Sequence, residues 1–132
     1  MGENFQMPHR RNEIEGLQLR ATYWRLVVEI LKETHRHRLP GRRFGPDVVM
    51  LLAYGAVIVN YSKGRLVRAS DVARYLEIPR ETARRLLHRL TGLGLLQREG
   101  KTFRPAQKVS RLAGVNVTSR ILKDTVKNLR LL

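Results

Sequence analysis

Residues 80–93, RETARRLLHRLTGL, have the side-chain types and spacing best suited to recognising a charged polymer. On a helical wheel of 100° per residue, the apolar side chains share one side and are predicted to be buried, namely Ala83, Leu86, Leu87, Leu90 and Leu93. The opposite side and its flanks hold Glu81, Arg84, Arg85, His88 and Arg89. A short helix with such an outer face fits the major groove of DNA in shape and charge.

Each polar side chain of this helix has a possible partner on a duplex. Arg85 can donate two hydrogen bonds to a guanine edge, and Glu81 can accept one from a cytosine amino group. His88 is within reach of a base or a phosphate. Two alternatives stay open: Glu81 pairs with Arg84 or Arg85 across one helical turn, and His88 is a bystander.

The elements on either side of this helix predict how it is positioned. Ser70 suits the N-cap of a preceding helix that runs from Asp71 to about Leu76, and Glu77-Ile78-Pro79 makes the turn between the two. Gly94 is expected to be a left-handed helix cap. Residues 95–99 and 102–104 then alternate like the two strands of a hairpin around a glycine turn.

Phosphate contacts are predicted around the groove-facing helix. Arg80 and Thr82 lie on its first turn, where backbone N–H groups also attract anions. The hairpin residues Arg98, Lys101 and Arg104 are expected to bind phosphates or the adjacent minor groove rather than read bases. Together with Ser70 and the polar residues of the helix, they make up the predicted DNA-binding set.

The remainder of the chain predicts a helical framework around this unit. Residues 1–12 are polar and are predicted to be a flexible tail, and residues 13–132 are predicted to form a single domain. Within this domain, residues 13–61 are predicted to form two N-terminal helices. Residues 65–108 are predicted to form the two-helix unit with its hairpin, and residues 110–132 a C-terminal helix. The aromatic residues Tyr23, Trp24, Tyr54 and Tyr61 are expected in the core rather than around an effector pocket.

Charge and composition narrow the function classes. The net charge is +15 at pH 7, and residues 62–111 hold 13 Lys+Arg against 4 Asp+Glu, which indicates a polyanionic partner. A membrane surface is a weaker candidate, because no basic amphipathic helix with an aromatic face adjoins this segment. The chain has no Cys, no paired-carboxylate motif and no phosphate-binding glycine loop, so an enzyme or a cofactor is not expected. His35 and His37 point apart on a helix, so a metal site is not expected either.

The order and spacing of these residues resemble the winged helix-turn-helix of IclR-like and MarR-like bacterial transcription regulators. The resemblance covers residues 65–108 and is carried by ASDVA at 69–73, IPRETARRLL at 78–87, GLGLL at 92–96 and the wing REGK at 98–101. It implies a mainly α fold with a small β-hairpin wing, and flanking N- and C-terminal helices that dimerise. The wing would then contact DNA beside the groove-facing helix.

The sequence therefore predicts a bacterial, cytoplasmic and nucleoid-associated regulator that binds double-stranded DNA. We expect a homodimer on an inverted-repeat operator, with the two recognition helices about one DNA turn apart. A small-molecule effector is possible but not indicated. The alternative is a winged-helix module that binds protein or RNA without reading an operator sequence.

Overall fold

The computed structural model describes residues 2–106, 119–120, 122–124 and 127, and of residues 2–10 only the backbone. The described helices and strands are, in chain order, α1 Gly2–Arg38, α2 Phe44–Ser62, β1 Val67–Arg68, α3 Ala69–Leu76, α4 Arg80–Gly92, β2 Leu96–Glu99 and β3 Thr102–Pro105. The described residues between 119 and 127 are helical. Most of the predicted C-terminal helix lies outside the described residues.

The first helix is longer and more exposed than the sequence predicts. It begins at Gly2, so residues 2–12 continue the helix instead of forming the predicted flexible tail. Polar residues can extend a helix that is already nucleated, because each added residue gains a backbone hydrogen bond. Tyr23 and Trp24, expected in the core, are 59% and 61% exposed. The core expectation was wrong for these two because helical spacing does not reveal which face meets the domain.

The second helix forms the centre of the core. It begins at Phe44 and contacts α1, α3, α4 and β3. Its most buried side chains include Met50, Ala53 and Val57. Residues 56–59, whose β-branched side chains could also suit a strand, are helical. Tyr54 is buried as expected, and burial raises the pKa of its phenol, whereas Tyr61 is exposed.

By length and apolar composition, α2 could also cross a membrane, with a mean hydropathy of 1.4, and no other helix in the described part of the chain qualifies. Core helices of soluble proteins meet the same criterion. Here the helix is surrounded on several sides by the rest of the domain. Burial in the protein's own core therefore accounts for part of this hydropathy, because 39% of the apolar window is buried while Val49, Leu52 and Ile58 stay exposed.

A buried polar cluster joins the end of α1 to the beginning of α2. The His35 Nε2 atom lies 2.9 Å from Asp47 Oδ2, and both residues are at least 96% buried. Arg42 donates to both carboxylate oxygens of Asp47, from Nε at 2.8 Å and from Nη2 at 2.9 Å. These bonds from Arg42 are the main cause that lowers the pKa of Asp47 to about 2, against the opposing effect of burial.

A three-stranded antiparallel sheet closes the other side of the core, in the order β1-β3-β2. Val67 pairs with Phe103 in one ladder, and Arg98 pairs with Phe103 in the other. Phe103 is therefore the middle residue of the sheet, and it is 4% exposed. The hairpin is confirmed close to its predicted bounds, and the short strand β1 ties it back to the beginning of α3.

Candidate nucleic-acid interface

The turn between α3 and α4 is fixed by backbone hydrogen bonds and one unusual residue. Glu77 has a left-handed conformation with φ 56°, and the Ile78 N–H donates to the Ala73 carbonyl at 3.0 Å. Pro79 precedes α4, and its carbonyl accepts from the Ala83 N–H at 3.0 Å. Pro79 cannot donate to the preceding helix, so α3 ends and α4 takes a new direction. This turn sets the angle at which α4 is presented.

The fourth helix has the two faces that the wheel predicts. Ala83, Leu87 and Leu90 are fully buried and Leu86 nearly so, whereas Leu93 is 43% exposed. Leu93 was expected to be buried, but the helix ends at Gly92, so Leu93 leaves the buried stripe. Gly94 has φ +83° and is left-handed, as predicted.

An open groove runs along the outer face of α4. The five predicted groove-facing residues line it together, namely Glu81, Arg84, Arg85, His88 and Arg89. All five are exposed. We call this set the cationic face. With four arginine or histidine side chains and one carboxylate, it can meet base edges and phosphates of a duplex.

The members of the cationic face differ in how far they are already engaged. Glu81 forms an ion pair with Arg84 on the same helix, which is the alternative that the sequence leaves open. Arg85 and Arg89 form no ion pair with any residue that the structure describes. The guanidinium groups of Arg85 and Arg89 are therefore both available for a bidentate contact to a guanine.

His88 has a partner that no pattern in the sequence indicates. Its ring lies edge-to-face against Phe103 of β3, with ring centroids 5.7 Å apart and an interplanar angle of 80°. The contact joins the middle of α4 to the middle strand of the sheet. His88 is exposed and belongs to the cationic face, but it also holds the helix against the hairpin. Only the pairing of strands, which brings Phe103 beneath α4, could have indicated this.

Three further residues of the predicted DNA-binding set, Ser70, Arg80 and Thr82, lie on the first turns of the two helices. Ser70 is half-buried in the first turn of α3 rather than at its N-cap, which is Arg68. The reason is that Asp71 accepts from the Arg68 N–H at 2.8 Å, so the helix begins at Ala69. Arg80 is exposed and Thr82 is half-buried, both on the first turn of α4.

The basic residues of the hairpin have different surroundings. Arg98 Nε donates to the Gly100 carbonyl at 2.7 Å, and so it braces the turn. Arg104 Nη2 pairs with Glu99 across the hairpin at 2.9 Å, and its Nε is buried without a hydrogen-bond partner among the described residues. Lys101 is exposed at the tip and forms no ion pair within the described part of the chain. Lys101 is therefore the hairpin cation most available to a phosphate.

No group of three His, Cys, Asp or Glu able to hold a metal occurs among the described residues. The buried cluster of His35, Arg42 and Asp47 was missed by sequence reasoning, which considered the histidines only as metal ligands. Its members come from two helices and a connector, and the spacing along the chain gives no sign that they meet.

A comparison with known families identifies the unit that carries the cationic face. Residues 62–100 match the family model of the IclR helix-turn-helix domain. This is a winged helix-turn-helix family of DNA-binding bacterial transcription regulators, which confirms the resemblance and the fold class predicted from the sequence. No curated protein and no solved structure matches the chain.

Proposed function

We propose that the protein is a transcription regulator that recognises a specific DNA sequence as a homodimer. The proposal starts from the match of residues 62–100 to the IclR helix-turn-helix domain. The observation that supports this most directly is the cationic face on α4, an exposed surface held by a buried leucine stripe on one side and a sheet on the other. Such a helix can enter the major groove without rearrangement of the domain.

In this proposal, some residues recognise DNA bases and others position the protein by contacts to the phosphate backbone. Arg85 reads a guanine, with Arg84 and Arg89 beside it, and Glu81 either accepts from a cytosine or orients Arg84. Ser70, Arg80 and Thr82 hold phosphates at the two helix starts. Lys101, with Arg98 and Arg104, contacts the backbone beside the groove. The regulator acts in the bacterial cytoplasm, at the nucleoid, and the role requires no catalytic group.

A homodimer would present two copies of α4 related by a twofold axis. Such an arrangement fits an inverted-repeat operator, because each half-site then meets the same surface. The exposed apolar residues on α1 and α2, among them Trp24 and Val49, supply surface for such an association.

The test is selection of bound duplexes from a random DNA pool, followed by affinity measurements on the enriched sequence. An enriched inverted repeat supports the proposal. If no motif is enriched while protein or RNA partners bind, the alternative of an interaction module replaces it.

The sharpest single variant is Arg85→Ala. We expect it to weaken binding to the selected site by about 1–3 kcal/mol and to relax base preference at one position of each half-site. Fluorescence anisotropy with labelled duplexes measures both effects.

The matched control for this variant is Arg36→Ala. Arg36 is also an exposed helical arginine, with 67% of its side chain accessible, but it lies on α1 outside the matched unit. The substitution Arg36→Ala removes the same charge as Arg85→Ala and should leave base preference unchanged. Equal effects of the two substitutions would show that α4 is not the reading surface.

A further inference from the structure

An exposed apolar stripe runs along α1 with a seven-residue repeat. Its members follow the alternating spacing of three and four residues: Ile14, Leu17, Ala21, Trp24, Val28 and Leu31. They occupy the a and d positions of a heptad, where Ile14, Ala21 and Val28 are a and the other three are d. A repeat of this kind is the pattern by which two helices supercoil around each other.

Among the residues that the structure describes, most of this stripe has no partner. Ile14 is 49% exposed, Leu17 59%, Trp24 61% and Val28 41%, and only Leu31 is half-buried against the domain. The described part of the C-terminal segment meets α1 through Arg120, whose Nη2 lies 3.7 Å from Glu33 Oε1, and it leaves Leu122 56% exposed. A contiguous exposed apolar patch larger than a few hundred Å² marks an interaction site.

We infer that the stripe on α1 pairs with the same stripe of a second copy, as an antiparallel two-stranded coiled coil. This deepens the homodimer of the proposed function, on which it rests, by naming its surface and orientation. In the register that places Leu17 opposite the partner's Val28, Ile14 lies opposite the partner's Leu31. Ala21 then lies opposite the partner's Trp24.

The sizes of the side chains favour this orientation over a parallel one. A parallel coil would place Ala21 against Ala21 of the second copy and Trp24 against Trp24, which makes one layer too thin and the next too thick. The antiparallel register pairs the small residue with the large one in both central layers. Facing layers of equal volume are what close packing between helices requires.

The charges beside the stripe do not distinguish the two orientations. In a parallel coil, a g residue faces the e residue of the next heptad, so Arg20 would face Arg25 of the other copy. In the antiparallel register, Arg25 lies near Gln18 of the second copy and Arg20 near Val27. The same antiparallel register brings Arg11 near Lys32 of the second copy, so each orientation contains one kind of like-charged contact.

The antiparallel pairing also fixes the distance between the points at which the two α1 helices enter their domains. With 1.5 Å of rise per residue, the Arg38 ends of the two α1 helices would be about 45 Å apart. This separation is on the scale of one to two DNA turns. The paired surface is on the order of 1,000 Å² in total, at the lower end for a specific interface.

The first experiment compares Leu17→Glu with Leu19→Glu, measured by light scattering after size exclusion and without DNA. Both leucines are exposed, at 59% and 52%, but Leu19 lies outside the stripe. We expect the unmodified protein and Leu19→Glu to be dimers at tens of micromolar, and Leu17→Glu to dissociate at least tenfold more readily. Equal association of both variants, or a monomeric unmodified protein, would overturn the inference.

The second experiment tests orientation and uses the fact that the chain has no cysteine of its own. An oxidised mixture of Leu17→Cys and Val28→Cys should form a mixed disulfide, because the antiparallel register brings these positions together. Leu17→Cys alone should form a disulfide-linked dimer only if the coil is parallel, and that result would overturn the antiparallel assignment.

Binding to a single half-site separates this inference from the proposed function. A Leu17→Glu monomer that is still helical by circular dichroism and still binds a half-site supports both. If the unmodified dimer does not bind a half-site, the proposed DNA recognition is refuted, whereas the inference of a coiled coil on α1 still stands.

Discussion

At the scale of single residues, the cluster of His35, Arg42 and Asp47 has the clearest consequence for stability. Asp47 is 3% exposed and is held by Arg42 and His35, which come from different parts of the chain. A buried carboxylate of this kind is tolerated only because its partners replace the lost water. The cluster therefore fixes the orientation of the end of α1 relative to α2, and the charged carboxylate of Asp47 is the group that holds it.

This charge predicts a loss of stability in acid. The pKa of Asp47 is lowered from 3.8 to about 2 in the folded protein, so its contribution is fully present above the ordinary carboxyl pKa. It is lost as the pH falls through about 4 toward 2. The shift corresponds to about 2 kcal/mol of unfolding free energy at neutral pH.

The measurement is urea unfolding between pH 7 and pH 2 for the unmodified protein and for Asp47→Asn. We expect the variant to be about 2 kcal/mol less stable at pH 7 and to show a smaller further loss in acid. Asp71→Asn is the control, since Asp71 is a half-exposed capping residue. Identical pH profiles for Asp47→Asn and the unmodified protein would contradict the role of the cluster.

At the scale of elements, the hairpin and α4 form one unit rather than two. The edge-to-face contact of His88 with Phe103 joins them, and β1 ties the same sheet to the start of α3. The tip of the hairpin is braced by Arg98, which donates to the Gly100 carbonyl. Lys101 is thus presented from a stiff turn, at a fixed distance from the cationic face.

This placement predicts that Lys101→Ala weakens binding to all duplexes alike. We expect the plot of log affinity against log salt to become shallower by about 1, as one phosphate contact is lost. Base preference in the selected site should not change. Lys63→Ala, at an exposed lysine after α2, is the control. A change in preferred sequence on loss of Lys101 would mean that the wing reads bases.

The sequence predicts these elements well because their signals are local. The glycine at position 94, the proline at 79 and the leucine stripe each constrain a few neighbouring residues, and the structure agrees with all three except at Leu93. The features that the sequence does not predict depend on contacts between different elements. The pairing of Asp47 with His35 and of His88 with Phe103 requires the tertiary fold.

The exposed length of α1 has a similar origin. The sequence of α1 has a helical period, but a period shows only which residues share a face and not what that face contacts. Tyr23 and Trp24 were accordingly expected inside. The heptad becomes informative only when the structure shows that the domain leaves it uncovered.

At the scale of the whole molecule, the net charge of +15 is concentrated where the proposed duplex would lie. Association of a dimer with two half-sites should therefore release many counterions, and affinity should fall steeply with salt. We expect Leu17→Glu, as a monomer, to show about half the salt slope of the dimer on the full operator. Leu19→Glu should retain the full slope. An unchanged slope for Leu17→Glu would mean that one copy makes all the phosphate contacts.

The chain has a single tryptophan, Trp24, and it is 61% exposed on the stripe of α1. An indole that moves from water into an apolar layer emits at shorter wavelength. Dilution of the protein should therefore shift its ultraviolet emission to the red, without any added dye. The molecule would thus report its own self-assembly optically, and bound DNA need not be present for the signal to be read.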